Sequence, residues 1–185
     1  MNCKNFTSLA IHGAYVIDLN RFIDNRGSFM ENWRSSDYEN SLGCKPMVQQ
    51  NLSYSTSNVL RGMHYQVNNP QSQIVTIIKG KVLDVIIDLR KSSSTFGHAI
   101  TLELDEIKPR QIYMPPGIAH GFQVLGNEAV LHYMCSRYYD QTNECGVRWD
   151  DPDLAIEWPI KNPNISDRDN KFPLLTNILP DDLPN

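Results

Sequence analysis

The sequence predicts an all-β fold, a barrel or sandwich, on three observations. Short runs rich in Val, Ile, Leu and aromatic residues recur along the chain, each broken by turn residues. Helical periodicity is scarce. In the clearest run, residues 82–89, Leu83, Val85, Ile87 and Leu89 share one face and Val82, Asp84, Ile86 and Asp88 share the other. That is the two-residue period of a strand.

Taken in order, residues 14–19 and 48–53 read as strands, and a short helix is expected over 36–42 with a serine cap. Residues 73–78 form a strand, followed by Lys79-Gly80-Lys81, where glycine supplies the backbone freedom of a hairpin turn. The return strand is 82–89, in which Asp84, between apolar neighbours, belongs at a strand rim or in a polar cavity. Strands are then expected at 99–104, 111–114, 122–125 and 129–135. From Asp150 onward Pro, Asn and Asp dominate, so an irregular tail is expected, anchored by Trp149 and Trp158. No internal repeat, linker or charge block interrupts the chain, and residues 1–185 read as a single domain.

The 185 residues suit one domain, for which about 100–200 residues is typical. Lys and Arg number 17 against 21 Asp and Glu. A general nucleic-acid binder would carry a basic excess, so that class is disfavoured. A small phosphorylated ligand needs just a few well-placed arginines and stays open. The first ten residues lack the basic and apolar stretches of a secretory signal, and no window is apolar enough to span a membrane. Four cysteines, Cys3, Cys44, Cys135 and Cys145, are widely spaced without a C-x-x-C pair. Reduced thiols in a cytoplasmic protein are therefore expected.

Pro115-Pro116-Gly117-Ile118-Ala119-His120 has the P-x-G-x-x-H spacing found in metal-binding cupins. The partner motif there supplies an H-x-H pair, whereas here the stretch is His64-Tyr65-Gln66. Ligands must converge on one ion. His12, His98 and His132 are scattered, and His132 falls on the strand face opposite Tyr133. No metal and no cofactor is expected.

Several stretches together resemble one family. They are Phe22-Ile-Asp-Asn-Arg26-Gly27-Ser-Phe29-Met-Glu31, Gln49-Gln-Asn51-Leu-Ser53 and Asn58-Val-Leu-Arg61-Gly62-Met-His64-Tyr-Gln66. Gly80-Lys-Val-Leu-Asp84-Val-Ile-Ile-Asp88-Leu-Arg90, Ser94-Thr-Phe-Gly97 and Pro116-Gly-Ile-Ala-His120-Gly-Phe122 follow. Tyr133, Tyr138-Tyr139, Trp149-Asp-Asp-Pro152, Ile156-Glu-Trp158-Pro159 and Ile165-Ser166-Asp-Arg-Asp169 complete the set. In this order they resemble the nucleotide-sugar 3,5-epimerases typified by dTDP-4-dehydrorhamnose 3,5-epimerase. The resemblance implies a jelly-roll cupin barrel without catalytic metal, usually a homodimer in which an N-terminal strand crosses to the partner. It implies as substrate a nucleoside-diphosphate 4-keto-6-deoxy sugar, inverted at carbon 3, carbon 5 or both.

The chemistry fits those residue types. A C4 ketone acidifies the C3 and C5 protons, because the carbanion delocalises onto oxygen. Inversion then needs a base on one face, an acid on the other and stabilisation of the oxyanion. By resemblance His64 is the base, Asp169 orients it, and Tyr133 is the acid. Arg61 and Arg26 match positions that grip the diphosphate, Arg26 in the partner subunit's site. Gln49, Asn51, Glu31, Phe29 and Tyr138 match neighbours of the base and sugar. His120 and Asp84 match pocket positions.

One position departs. Resembling chains usually read Ala-Gln-x-Lys where this chain reads Pro70-Gln71-Ser72-Gln73, so by resemblance Gln73 stands where a lysine neutralises the enolate oxygen. Lys79 and Lys81, at the far end of the expected hairpin, are no obvious substitutes. Gln73 therefore hints at a different sugar or at inversion of one carbon. A 3,4-ketoisomerase and a weakly active nucleotide-sugar binding module are the competing classes, the second motivated by Gln73 alone. Neither the nucleoside nor the choice of hexose or heptose is legible.

Overall fold

The computed structural model describes residues 4–185. Its strands are β1 (Lys4–Ser8), β2 (Tyr15–Leu19), β3 (Arg21–Asp24), β4 (Gly27–Met30), β5 (Gln49–Thr56), β6 (Leu60–Gln66), β7 (Gln73–Asp88), β8 (Ala99–Asp105), β9 (Arg110–Met114), β10 (Ile118–Cys135) and β11 (Glu144–Gly146). The single α-helix among the described residues is α1 (Ser35–Leu42).

Two long bent strands organise the fold. β7 and β10 run antiparallel along their whole lengths, Gln73 opposite Cys135 and Asp88 opposite Ile118. The first half of β7 also pairs with β9, and the second half of β10 with β5. Beyond the bend, β7 pairs with β8 and β10 with β6. One sheet therefore runs β1-β2-β9-β7-β10-β5 and the other β8-β7-β10-β6-β11, with β7 and β10 shared between them. β3 and β4 form a separate hairpin.

The expected hairpin at Lys79-Gly80-Lys81 is a bend within one strand. Gly80 has φ +82°, and β10 answers with an excursion, since Val82 pairs with Val124 while Gly80 pairs with Ala129. The chemistry that suits a turn, a glycine with positive φ between exposed polar residues, suits a bulge equally well. The strands expected at 122–125 and 129–135 are likewise one strand. A methyl group on Gly80 would collide with the backbone carbonyl of Glu128. Gly80→Ala is expected to cost at least about 2 kcal/mol, from left-handed strain plus that collision. Urea unfolding with an unchanged slope and a lowered midpoint is the measurement. A loss below about 0.5 kcal/mol, the range of a neutral surface change, would contradict the bend.

Both faces of each sheet are put to use. Between the sheets lie Val75, Ile77, Val82, Ile86, Leu104, Phe122, Val124 and Leu131. The other face of β7 carries Leu83, Val85 and Ile87, which with Leu89 just beyond the strand pack with Val147, Leu154 and Trp158 of the irregular tail. The outer face of the first sheet (Ile17, Ile74, Tyr113, Met134) is covered by Tyr38 of α1 and by Cys44. This explains why β7 is apolar on both faces: it is covered twice. In the tail, Trp158 Nε1 donates to the Trp149 carbonyl at 2.7 Å, as its anchoring role requires. The helix begins one residue before the expected start. Its cap position is Arg34, without a side-chain cap bond, and Gly43 closes it with φ +60°. The serines sit inside its first turn.

Asp88, wholly buried, gathers Arg90, Ser93 and Thr95, with hydroxyls at 2.6 Å and the Arg90 Nη2 at 2.7 Å. The Asp88-Leu-Arg90 and Ser94-Thr-Phe-Gly97 stretches thus belong to a loop clasp. Burial works to raise the Asp88 carboxyl, but the bonds from Arg90, Ser93 and Thr95 outweigh it and hold it at about 2. A folded value below the unfolded one, near 3.9, means stability fully present above about pH 4 and lost as pH falls towards 2. The contribution is about 2 kcal/mol. Unfolding at pH 7 and pH 3 should reveal it, and Asp88→Asn should flatten the difference.

Among the described residues Cys44, Cys135 and Cys145 are unbridged, and Cys3 lies outside them. None of the described helices is long and apolar enough to cross a membrane.

Candidate active site

A cavity of about 380 Å³ opens between the two sheets. Its β6 wall depends on glycine. Gly62 (φ +126°) and Gly121 face each other across β6 and β10, and a methyl group on Gly62 would lie 2.6 Å from the Gly121 Cα. Both glycine-bearing motifs, Arg61-Gly62-x-His64 and His120-Gly121-Phe122, thereby acquire a packing reason. The close approach coincides with a register shift between His120 and Phe122. His64 and His120 are paired across the same two strands.

Each histidine is held by its own carboxylate. His64 Nε2 lies 2.9 Å from Asp169 Oδ1, and the Gly62 N–H donates to Asp169 Oδ2 at 3.1 Å. Asp169 is 3% exposed. Burial works to raise its carboxyl, yet His64, the Gly62 N–H and Ser166 hold it well below the usual carboxylate range, so it is an anion. Phe172 stands edge-on to the His64 ring with centroids 5.7 Å apart. His120 Nε2 lies 2.9 Å from Asp84 Oδ2, and Asp84 is wholly buried, its Oδ1 without a partner among the described residues. Asp84 was expected at a strand rim or in a polar cavity; it is instead wholly buried behind His120 and does not itself line the cavity.

The opposite wall comes from β5, the start of β7 and the second half of β10. Gln49, Asn51, Ser53, Gln71 and Gln73 line it with neutral groups, and Tyr133 joins them. Two polar atoms there, Ser53 Oγ and Gln71 Oε1, are buried without a partner among the described residues. Burial, with Cys135 nearby, pushes the Tyr133 phenol above its ordinary value, so it stays a protonated donor. His64 and Tyr133 thus border the cavity from different sheets. The charged groups cluster on the first side, around His64: Arg61, Glu144 and Arg168. Arg61 bonds to Ser55 Oγ at 3.0 Å and to the Tyr54 carbonyl at 3.2 Å. Among the described residues no carboxylate pairs with it, so its charge is uncompensated.

The cavity brings together His64, Tyr133, Gln49, Asn51, Arg61, Gln73 and His120 of the expected residues, with Asp169 and Asp84 behind the histidines. It does not bring in Arg26, Phe29, Glu31 or Tyr138. Arg26 is paired with Asp24 at 2.6 Å on the β3–β4 hairpin, where Phe29 is 68% exposed. Glu31 is engaged by Lys4 and Arg34. Tyr138 is 76% exposed, and its neighbour Tyr139 reaches the cavity instead. Lys79 and Lys81 are taken up by Glu128 and Glu103, away from the cavity. Arg168, Glu144 and Tyr139 were missed. Arg168 and Tyr139 lie inside the Ile165–Asp169 and Tyr138-Tyr139 stretches, whereas Glu144 has no local signal and is placed by pairing with Gln66.

The fold is a two-sheet cupin-like one, and its cavity sets a histidine–carboxylate pair against a tyrosine hydroxyl, the groups a proton transfer calls for. The family profile described as dTDP-4-dehydrorhamnose 3,5-epimerase matches residues 8–177. A dTDP-4-dehydrorhamnose 3,5-epimerase from Shigella flexneri is 40% identical over 89% of this chain and 92% of its own. Among solved structures, a dTDP-6-deoxy-D-glucose-3,5-epimerase from Legionella pneumophila, in complex with dTDP-4-keto-L-rhamnose, superposes with a TM-score of 0.95 at 36% identity, covering 98% of both chains. A 3'-monoepimerase from Streptomyces bikiniensis, in complex with dTDP-quinovose, gives 0.86 at 34% identity over 91% of this chain and 86% of its own. The chain belongs to the dTDP-4-dehydrorhamnose 3,5-epimerase family, and it is an isomerase-class enzyme, a sugar epimerase.

Proposed function

We propose that the protein inverts C3, C5 or both of a nucleoside-diphosphate 4-keto-6-deoxy sugar, supplying precursors for polysaccharide synthesis. The observation that carries this reading is the placement of His64–Asp169 and Tyr133 on different sheets around one cavity. With Nε2–H donated to Asp169, His64 has a free lone pair at Nδ1 to accept a carbon-bound proton, and Asp169 stabilises the imidazolium that forms. Tyr133 returns a proton from the other side. Arg61 takes the diphosphate, since its charge is uncompensated and a guanidinium fits phosphate oxygens. The oxyanion at C4 meets the neutral donors of the opposite wall, Gln73 among them. The side chains named supply the base, the acid and the anion grip without a cofactor.

Residues 1–185 act in this reading as one domain in a homodimer, in the cytoplasm. Dimerisation gives the projecting β3–β4 hairpin a role: its exposed Phe22, Ile23 and Phe29 would be covered, and Arg26 would serve the partner's cavity. Because relatives are solved with dTDP sugars, dTDP-linked 4-keto sugars head the assay, with GDP- and CDP-linked hexoses and heptoses beside them. Incubation in heavy water should place deuterium at C3, C5 or both, read by mass and proton NMR. No exchange with any of these, using folded protein, would end the proposal. Exchange at a single carbon would make it a mono-epimerase, the outcome that Gln73 favours.

A further inference from the structure

Arg168 has no part in the proton transfer just described, yet it touches each charged component around the base. Its Nη1 donates to Glu144 Oε2, its Nε donates to Asp169 Oδ1 at 3.2 Å, and its Nη2 lies 3.1 Å from His64 Nε2. The guanidinium also sits 5.9 Å from the centre of the Phe172 ring that abuts His64. Arg61 offers the contrast. It bonds neutral groups and keeps its charge for a ligand, whereas Arg168 is neutralised by two carboxylates of the protein itself.

The contact creates a competition at one nitrogen. His64 Nε2 has an acceptor at 2.9 Å, Asp169 Oδ1, and a donor at 3.1 Å, Arg168 Nη2. It can satisfy one of them at a time. In one tautomer Nε2–H donates to Asp169 and Nδ1 keeps a lone pair. In the other, Nε2 accepts from Arg168, Asp169 Oδ1 retains the Arg168 Nε–H, and the proton sits on Nδ1. A guanidinium is always a donor, so it permanently favours the second form. That form has no lone pair at Nδ1 with which to take a proton from carbon.

We propose that Arg168 is a positioning residue that sets the tautomer of His64, drawing the ring towards the Nδ1–H form, with Glu144 limiting the draw by holding the other arm of the guanidinium. The inference rests on His64 being the base. Breaking the Nη2 contact is then a step in forming the reactive complex, and the dyad is at rest until it breaks.

The test uses ligand-free protein labelled with ¹⁵N-histidine at about pH 8.5, above the ordinary imidazole range. Long-range proton–nitrogen spectra report which ring nitrogen is protonated, and a His64→Gln spectrum assigns the signals. In the wild type the His64 shifts should lie between those of the two pure tautomers. Arg168→Ala should move them to the Nε2–H values, and Glu144→Gln should move them the opposite way. Arg168→Lys covers the case in which the alanine variant does not fold. Its single ammonium cannot span Glu144, Asp169 and Nε2 together, so it should move the shifts as alanine does. A wild-type His64 already wholly in the Nε2–H form, or shifts unmoved by loss of the guanidinium, would overturn the inference. Heavy-water exchange measured beside it separates the two readings. Mobile shifts without exchange leave Arg168 its role and remove the catalytic one from His64; exchange with immobile shifts does the reverse.

Discussion

His64→Gln is expected to lower heavy-water exchange at the sugar carbons by about 10²–10⁴-fold, the usual worth of a positioned general base. The substitution leaves the fold intact, because the ring is part-exposed at the cavity and a glutamine amide can still donate to Asp169. What it removes is a nitrogen lone pair that can become N–H⁺ beside a buried anion. Tyr133→Phe separates the two halves of the reaction. Deprotonation by His64 survives, and the enolate is reprotonated from the face it left. Deuterium should therefore enter without inversion, at a rate within about tenfold of wild type, while inverted product falls by the 10²-fold or more that loss of an acid costs. Equal loss of exchange and inversion in Tyr133→Phe would mean that the two residues do not divide the faces between them.

The placement of His64 and Tyr133 around one cavity was partly legible in the sequence. Strand period alone put Tyr133 with Leu131 and Cys135 and turned His132 away, and all three line the cavity. Asp169, 105 residues from His64, was reached through resemblance, since no local pattern reports a contact made by an irregular tail folding back on β6. Glycine misled in one place and informed in another. At Gly80 the Lys-Gly-Lys stretch suggests a turn, whereas the glycine, with positive φ, bends a strand, because turn and bulge ask the same of the backbone. Conversely, nothing in the sequence explains Gly62 and Gly121, whose physical reason is the close approach of β6 and β10. The β3–β4 hairpin is not legible as strands; its Arg21–Asp24 run is wholly exposed, so it shows none of the in–out alternation that reveals a half-buried strand.

Charge was the least legible property. Net charge gave no sign that the cavity is polarised, with its ionised groups on the β6 side and carboxamides on the β5 and β7 side. That polarity follows from which strand each residue occupies, and so from the register of β7 and β10. It also bears on the departure at Gln73. A lysine there would add a cation to a wall that otherwise offers Gln49, Asn51, Ser53 and Gln71, all neutral.

Gln73→Lys is accordingly expected to speed enolate formation by on the order of 100-fold, from about 3 kcal/mol of charge-assisted stabilisation at the developing oxyanion. The position is half-buried and borders open cavity, so the ammonium can reach the ligand without displacing the core. Its consequence for product differs from its consequence for rate. Two inversions require two enolates, and after the first the bound sugar either leaves or is deprotonated again. A neutral donor at Gln73 slows the second deprotonation without slowing release, which favours singly inverted product. The lysine variant should therefore raise the fraction of sugar carrying deuterium at both C3 and C5, as well as total exchange. Product ratios after a short incubation in heavy water, wild type against variant, measure both effects at once. Unchanged turnover together with an unchanged pattern of labelled carbons would mean that the C4 oxygen draws its stabilisation from elsewhere, and that Gln73 does not set how many carbons are inverted.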